Sequence, residues 1–213
     1  MKWIDYKDKH AGETGLVIGN GPSLKTVSLD FLIKYPSFGT NGIYRLQGFT
    51  PTYYTAVNPL VIQQFGGIKD LKCQKFLAER FAWEFDALPL HSAGIPVFSK
   101  QPDDWIYEGH TVTFVALQIA YYMGFSTVLL VGVDHKFTYE GRPNQQLYMA
   151  GDDPNHFDPD YFKGKAWNAP DLERSAQAYR LARAVYEADG RRIINLTEPT
   201  EEPIFERGNL HDW

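Results

Sequence analysis

Several features that would name a function outright are missing from this chain of 213 residues. Its single cysteine, Cys73, excludes an intrachain disulfide framework and a cysteine-based zinc site. Cys73 sits in LKCQKFLAE, which reads as a buried or partly buried strand, so the thiol is expected to be inert. Positive charge is in deficit: the formal net charge is −5, which argues against electrostatically driven nucleic-acid binding. A nucleotide ligand stays open, because it needs only local donors. The longest apolar stretch, residues 112–123, is too short to span a bilayer. Lys2, Asp5, Lys7 and Asp8 interrupt the segment where a signal peptide would be apolar, so the chain reads as cytoplasmic, with no membrane span. Also missing are G-x-G-x-x-G, the P-loop GK[ST], G-x-S-x-G, H-E-x-x-H and the EF-hand pattern. The sequence carries no internal repeat and no sign of its oligomeric state.

The apolar fraction, 44%, can build a normal core, and the length suits one α/β domain with a lid. Aromatics reach 15%, more than a core needs, which points to some of them lining a cleft. The most informative stretch is LVIGNGPSL, residues 16–24. A short β-rich run ends in Gly19-Asn20-Gly21-Pro22-Ser23, and a helix is expected to follow, to about Tyr35. A strand feeding a helix through a Gly-rich turn exposes backbone N–H groups near the positive end of the helix, a geometry that suits a phosphate. Ligands gather at strand C-terminal ends in open α/β sheets. An ordinary βα turn is the competing reading.

Further strands are expected at residues 37–40, 53–57, 74–77, 97–98, 126–131 and 192–196. TVLLV within 126–131 is a continuous apolar run, as a central parallel strand requires. Residues 110–123 read as a buried helix ended by Gly124, and 170–188 as an amphipathic helix ended by Gly190. Residues 137–168 are long, polar and aromatic-rich without a strong element, the signature of a lid. The fold class is thus α/β with a mostly parallel sheet. The expected organisation is a lead-in at 1–14, one domain at 15–197 with an aromatic and acidic lid at about 137–168, and a tail at 198–213.

Polar groups collect in three places. Asn20, Asn41 and Asn58 follow predicted strand ends, where parallel pairing would bring three neutral amides to one edge, able to read a base, ribose or phosphate. Each alone reads first as a turn residue, and it is the three together that point to a ligand site. Asp134 follows the strongest strand, either to hold a sugar hydroxyl or metal or to cap its loop; His135 and Lys136 come next. The lid carries Asp152-Asp153-Pro154-Asn155-His156-Phe157-Asp158-Pro159-Asp160-Tyr161, where an imidazole among carboxylates suits a general base. His156 with Asp134, Asp152 or Asp158 is also a candidate metal set, without diagnostic spacing.

GNGPSL, TNG, NP at a strand end, MGFSTVLLVGVD and NHFDPDY together resemble the superfamily of MptE-like and Maf flagellin-modifying proteins. They are also similar to bacterial CMP-sialic-acid-dependent sialyltransferases, over about residues 15–197. The resemblance implies one Rossmann-like domain with a nucleotide over the sheet edge. In the sialyltransferase branch, the residues matching Asn20, Gly21, Pro22, Ser23, Asn41 and Asn58 hold the CMP part of the donor. A lid histidine acts as base; His156 lies in that segment, offset by a few residues, and Asp160 falls nearer the family's position. Two tyrosines after the central strand hold the leaving phosphate; here Lys136 stands at the first position and Tyr139 approximately at the second. An arginine expected before the buried helix is replaced by Gly109-His110.

The favoured reading is a nucleotide-dependent transferase, a glycosyltransferase taking a CMP-activated nonulosonic acid or related sugar to a hydroxyl acceptor, with no cofactor. Its expected catalytic set is His156, Asp134, Lys136 and Asp160. The alternative is an MptE-type 6-hydroxymethyl-dihydropterin pyrophosphokinase using ATP and Mg²⁺, with Asp134 and Asp152 on the metal. A third is a non-catalytic nucleotide-binding module.

Overall fold

The computed structural model describes residues 2–202 and 204–213. In chain order the strands are β1 (Thr14–Ile18), β2 (Ser37–Thr40), β3 (Tyr53–Ala56), β4 (Gln74–Ala78), β5 (Leu88–Leu90), β6 (Thr127–Val131), β7 (Gln146–Met149), β8 (Lys165–Asn168), β9 (Arg192–Asn195) and β10 (Glu206–Arg207). The helices are α1 (Leu29–Leu32), α2 (Pro59–Gln64), α3 (Glu79–Ala82), α4 (Val112–Tyr122) and α5 (Leu172–Ala188). Eight strands form one parallel sheet in the order β10-β9-β6-β1-β2-β3-β4-β5. The mostly parallel α/β architecture expected from the sequence is the one observed.

The chain starts in the middle of the sheet. It builds outward from β1 to β5, then crosses back to lay β6 against the other side of β1. This reversal is a topological switch point, where the loops leaving two adjacent strands diverge and open a crevice. Ile18 pairs with Val131, so the turns after β1 and β6 emerge side by side. They lie so close that a Cβ on Gly19 would be 2.4 Å from the Gly132 carbonyl oxygen, which is why glycine stands there.

Helix α4 is apolar nearly all round because it is enclosed: every residue from Thr113 to Tyr122 is buried. It covers β1–β3 on one side and α5 on the other. Its one long polar side chain, Gln118, is fully buried and fully used. Gln118 Oε1 accepts from Ser99 N at 2.9 Å and Tyr107 N at 3.3 Å, while Nε2 donates to Tyr107 O at 2.8 Å. A buried amide is retained where such bonds replace those to water.

The structure differs from sequence expectation in five places. The helix expected from Pro22 to Tyr35 is a 3₁₀ turn (Pro22–Thr26) and the single-turn α1, separated by extended Val27 and by Ser28, whose hydroxyl caps Phe31 N at 3.3 Å. Residues 97–98 form no strand; Phe98 instead packs edge-on against Phe114, Tyr121 and Tyr186. Strand β5 went unread because Pro89 interrupts it, tolerable only because β5 is an edge. The segment 137–168 is not free of elements: β7 and β8 pair antiparallel within it. The lead-in holds a 3₁₀ turn, Trp3–Tyr6, with Trp3 and Tyr6 against Phe76, and the boundary at 197 falls between β9 and β10 of the same sheet.

Candidate functional site

A cavity of about 640 Å³ opens over the switch point. Its walls come from the strand ends (Asn20, Asn41, Asn58, Asp134), from the start of α4 and from the lid. Among the described residues, four of the six non-glycine positions with left-handed backbone line it: Asn41, His110, His135 and Asn144. Such conformations cost about 1–3 kcal/mol when surroundings impose them, and they concentrate at ligand sites.

The amides divide their work. Asn20 Nδ2 donates to Thr40 O at 3.0 Å and Thr40 Oγ1 at 2.9 Å, and Thr40 Oγ1 in turn donates to Ile18 O. The carbonyl at Thr40 can only accept, so it fixes which end of the amide is NH₂. Asn20 Oδ1 is left buried without a partner, as is Asn41 Oδ1. Each of these buried acceptors, on residues that line the cavity, costs about 1–3 kcal/mol until a donor reaches it. Asn58 is different: its Oδ1 caps α2 through Leu60 N at 2.9 Å, which is the turn role weighed for it.

The Gly-rich turn already holds an anion. Asp134 Oδ1 accepts from Ser23 N at 3.0 Å and Oδ2 from Ser23 Oγ at 2.6 Å. Gly21 N donates to Gly132 O and Gly19 N to Val131 O. The N–H groups of Gly19, Gly21 and Ser23 are therefore engaged by the protein, and Pro22 has none. Pro22 and Ser23 lie outside the cavity lining, whereas Asn20 and Gly21 belong to it. The side-chain space at Gly21 is filled by Asp134, whose Oδ2 would lie 1.9 Å from a Cβ. Burial raises the Asp134 carboxyl above the usual carboxylate range, against the lowering effect of the Ser23 bonds and nearby His156.

The segment between β7 and β8 brings His156 to the same cavity. Its Nδ1 lies 2.8 Å from Oδ2 of Asp153, a carboxylate with no exposed side-chain surface. The ring stacks on Tyr161, centroids 4.0 Å apart and planes 6° from parallel. Asp153 Oδ1 accepts from Asn155 N at 2.9 Å, so both carboxylate oxygens are placed. A carboxylate at Nδ1 fixes the proton there and leaves Nε2 as the basic nitrogen. The loop is tied to the body by Phe157 N to Asn20 O (2.9 Å), Gly42 N to Tyr161 Oη (2.8 Å) and Arg45 Nε to Asp158 Oδ2 (2.5 Å). Sequence reasoning saw four neighbouring carboxylates and missed that Asp153, three residues before His156, is the partner.

The other expected residues are placed as follows. Asp160 faces Lys163 at 3.3 Å, is largely exposed and lies outside the cavity. Lys136 lines the rim and pairs with Glu201 at 2.7 Å, which raises its basicity. Tyr139 donates to Pro170 O at 3.1 Å and is not part of the lining. Asp152 is exposed and pairs with Lys163. Among the described residues no three His, Cys, Asp or Glu side chains come together in a metal-binding group. With Asp134 bound to Ser23 and Asp152 on the surface, the donors expected to hold Mg²⁺ do not converge.

No family model matches the sequence, so MptE-like or Maf membership gains no support there. No curated protein matches it either. Solved structures do. The chain is similar to the sialyltransferase CstII from Campylobacter jejuni in complex with the substrate analogue cytidine-5′-monophosphate, with a TM-score of 0.53, 16% identity, and 92% of this chain and 85% of that one covered. The CstII complex with CMP-3FNeuAc matches with a TM-score of 0.51 and 14% identity, over 93% and 87%. The likeness is one of fold: a Rossmann-like α/β sheet shared with a sialyltransferase over nearly the whole length. Among the described residues no helix is long and apolar enough to cross a membrane.

Proposed function

We propose that this chain is a nucleotide-dependent glycosyltransferase that moves a CMP-activated nonulosonic acid, or a related sugar, to a hydroxyl acceptor. One observation carries the reading. His156, oriented by Asp153, lines the same cavity as Asn20 and Asn41, whose buried side-chain oxygens have no partner. A base and hydrogen-bond acceptors for a nucleoside in one cavity are what a transfer site over a sheet edge requires. The fold shared with a CMP-binding sialyltransferase supports the choice of nucleotide.

In the proposed reaction His156 Nε2 removes the proton of the acceptor hydroxyl as its oxygen bonds to the anomeric carbon. The bond from that carbon to the phosphate oxygen breaks, and CMP leaves with the electron pair. Asp153 holds the productive tautomer and stabilises the imidazolium. Asn20 and Asn41 receive donors of the base or ribose. Asp134 shapes the turn through Ser23 rather than contacting phosphate, and Lys136 stands at the rim with Glu201 as its partner. The pyrophosphokinase reading is weaker, because its metal donors do not converge.

The test compares thermal stabilisation by CMP and by ATP with Mg²⁺, followed by an assay of CMP release from CMP-linked sugars. Ligands that bind the native state raise its stability by mass action. Stabilisation by CMP without metal, with CMP release, is the expected result. Stabilisation only by ATP with Mg²⁺ overturns the proposal, and CMP binding with no turnover on any donor reduces the chain to a binding module.

A further inference from the structure

A nucleotide brings a phosphate, and the turn expected to hold it is taken. Ser23 N and Oγ are bonded to the Asp134 carboxylate, so that corner repels a second anion. Among the described residues the cavity lining contains no arginine, and its lysine, Lys136, is mostly exposed and paired with Glu201. The other lining side chains able to bring positive charge to an anion are imidazoles. His156 is engaged by Asp153, which leaves His110 and His135.

Both are built in rather than incidental. Their backbones are left-handed, with φ of +59° and +54°, a region uncommon for residues other than glycine. The His110 carbonyl is fixed by Ser175 Oγ at 3.2 Å. The His135 ring lies 5.8 Å from the Tyr179 ring, whose hydroxyl is 3.3 Å from Thr111 Oγ1, next in chain to His110. Tyr179 thus touches His135 and the residue that follows His110, and all three line the cavity. We infer that His110 and His135 form the subsite for the phosphate group of the bound nucleotide. This rests on the nucleotide reading above and adds residues that reading does not use.

The charged and titratable neighbours set the proton linkage. His135 has Asp134 and Lys136 on its own segment, Glu201 and Glu202 from the segment after β9, and Tyr179 from α5. His110 has Tyr107 and Glu108 on its own segment, with Ser175 of α5 on its carbonyl. Burial lowers the basicity of His135, and Glu202 and Glu201 raise it. A phosphate acts in the same direction as the glutamates, so binding draws a proton onto His135. The phosphate's own second ionisation, near pH 6, is displaced the other way and releases protons. Net uptake at pH 7 therefore reports His135.

The experiment is calorimetry of CMP and of cytidine at pH 7, in buffers of different ionisation enthalpy. The wild type should take up protons with CMP and not with cytidine. His110→Asn and His135→Asn keep a residue that tolerates the left-handed backbone. Each should weaken CMP about tenfold or more, the effect of losing a hydrogen bond to a charged group. Cytidine affinity should stay unchanged, which also shows that the variants are folded; His110→Gln and His135→Gln are a second pair. The double variant should lose the proton uptake with His156 intact. An unchanged CMP-to-cytidine affinity ratio overturns the subsite while leaving the nucleotide reading standing. Failure of both ligands to bind the wild type overturns both.

Discussion

Asp153→Asn is the sharpest perturbation the site offers, because it changes one atom and leaves the shape. The Asp153 side chain is wholly buried, with Oδ1 accepting from Asn155 N at 2.9 Å and Oδ2 facing His156 Nδ1 at 2.8 Å. In the variant, Asn155 N–H still needs an acceptor, so the amide oxygen takes that side and the NH₂ turns to His156. His156 Nδ1 must then accept, which forces the proton onto Nε2, the nitrogen that would act as base. A positioned general base contributes about 10²–10⁴-fold, and the equivalent tautomer reversal in a serine-protease triad costs about 10⁴. The expected loss in kcat therefore lies between about 10² and 10⁴-fold. Exchanging a charged for a neutral acceptor costs about 1–2 kcal/mol of stability. At this chain length each kcal/mol lowers Tm by about 2–4 °C. CMP affinity should stay within about threefold, since the asparagines proposed to face the nucleoside are untouched and a factor of three is under 1 kcal/mol. The assay is CMP release from a CMP-linked sugar, with CMP affinity and melting temperature on the same samples. A variant that keeps its wild-type kcat while folded would show that the Asp153–His156 pair has no part in proton transfer.

Four other perturbations have defined outcomes. Gly21→Ala places a Cβ at 1.9 Å from Asp134 Oδ2 and should lower the melting temperature as well as nucleotide affinity, in a thermal-shift titration with CMP. Asp134→Asn should be tolerated, since the amide oxygen can accept from Ser23 N while its NH₂ donates to Ser23 Oγ, whereas Asp134→Ala orphans a buried N–H and should cost about 1–3 kcal/mol in denaturant unfolding. The pH dependence has a definite sign: burial raises the folded carboxyl above its unfolded value, so its stabilising contribution is full below about pH 4 and is lost as pH rises through the folded value. Asp134→Asn should therefore gain on the wild type as pH rises from 3 to 7, and the opposite trend in denaturant midpoints would contradict the assigned cause. Tyr161→Phe removes the acceptor of Gly42 N and should cost about 1–3 kcal/mol, read as a lower unfolding midpoint. Burial pushes the Cys73 thiol up to about 11, so a thiolate-dependent reagent at pH 8 should react with native protein far more slowly than with unfolded chain.

What the sequence disclosed and what it concealed divide along contact distance. The central strand was legible because TVLLV is buried on both faces, so its whole environment is written into one apolar run. The convergence of Asn20, Asn41 and Asp134 on one cavity followed from parallel pairing, which sends every strand's C-terminal end to the same edge. Hairpin β7–β8 was hidden because its strands are short and half exposed, so neither carries an apolar run long enough to read. The occupancy of the Gly-rich turn was concealed for a deeper reason. A turn rich in N–H groups announces an anion, and nothing local states whether that anion is a ligand or a side chain. Here it is the carboxylate of Asp134, 111 residues from Ser23. The same logic applies at the lid, where Asp152, Asp153, Asp158 and Asp160 are nearly equivalent as letters. Their fates are set by Lys163, His156, Arg45 and again Lys163, respectively, so the carboxylate that orients the imidazole is identified only once the loop's other partners have claimed the rest.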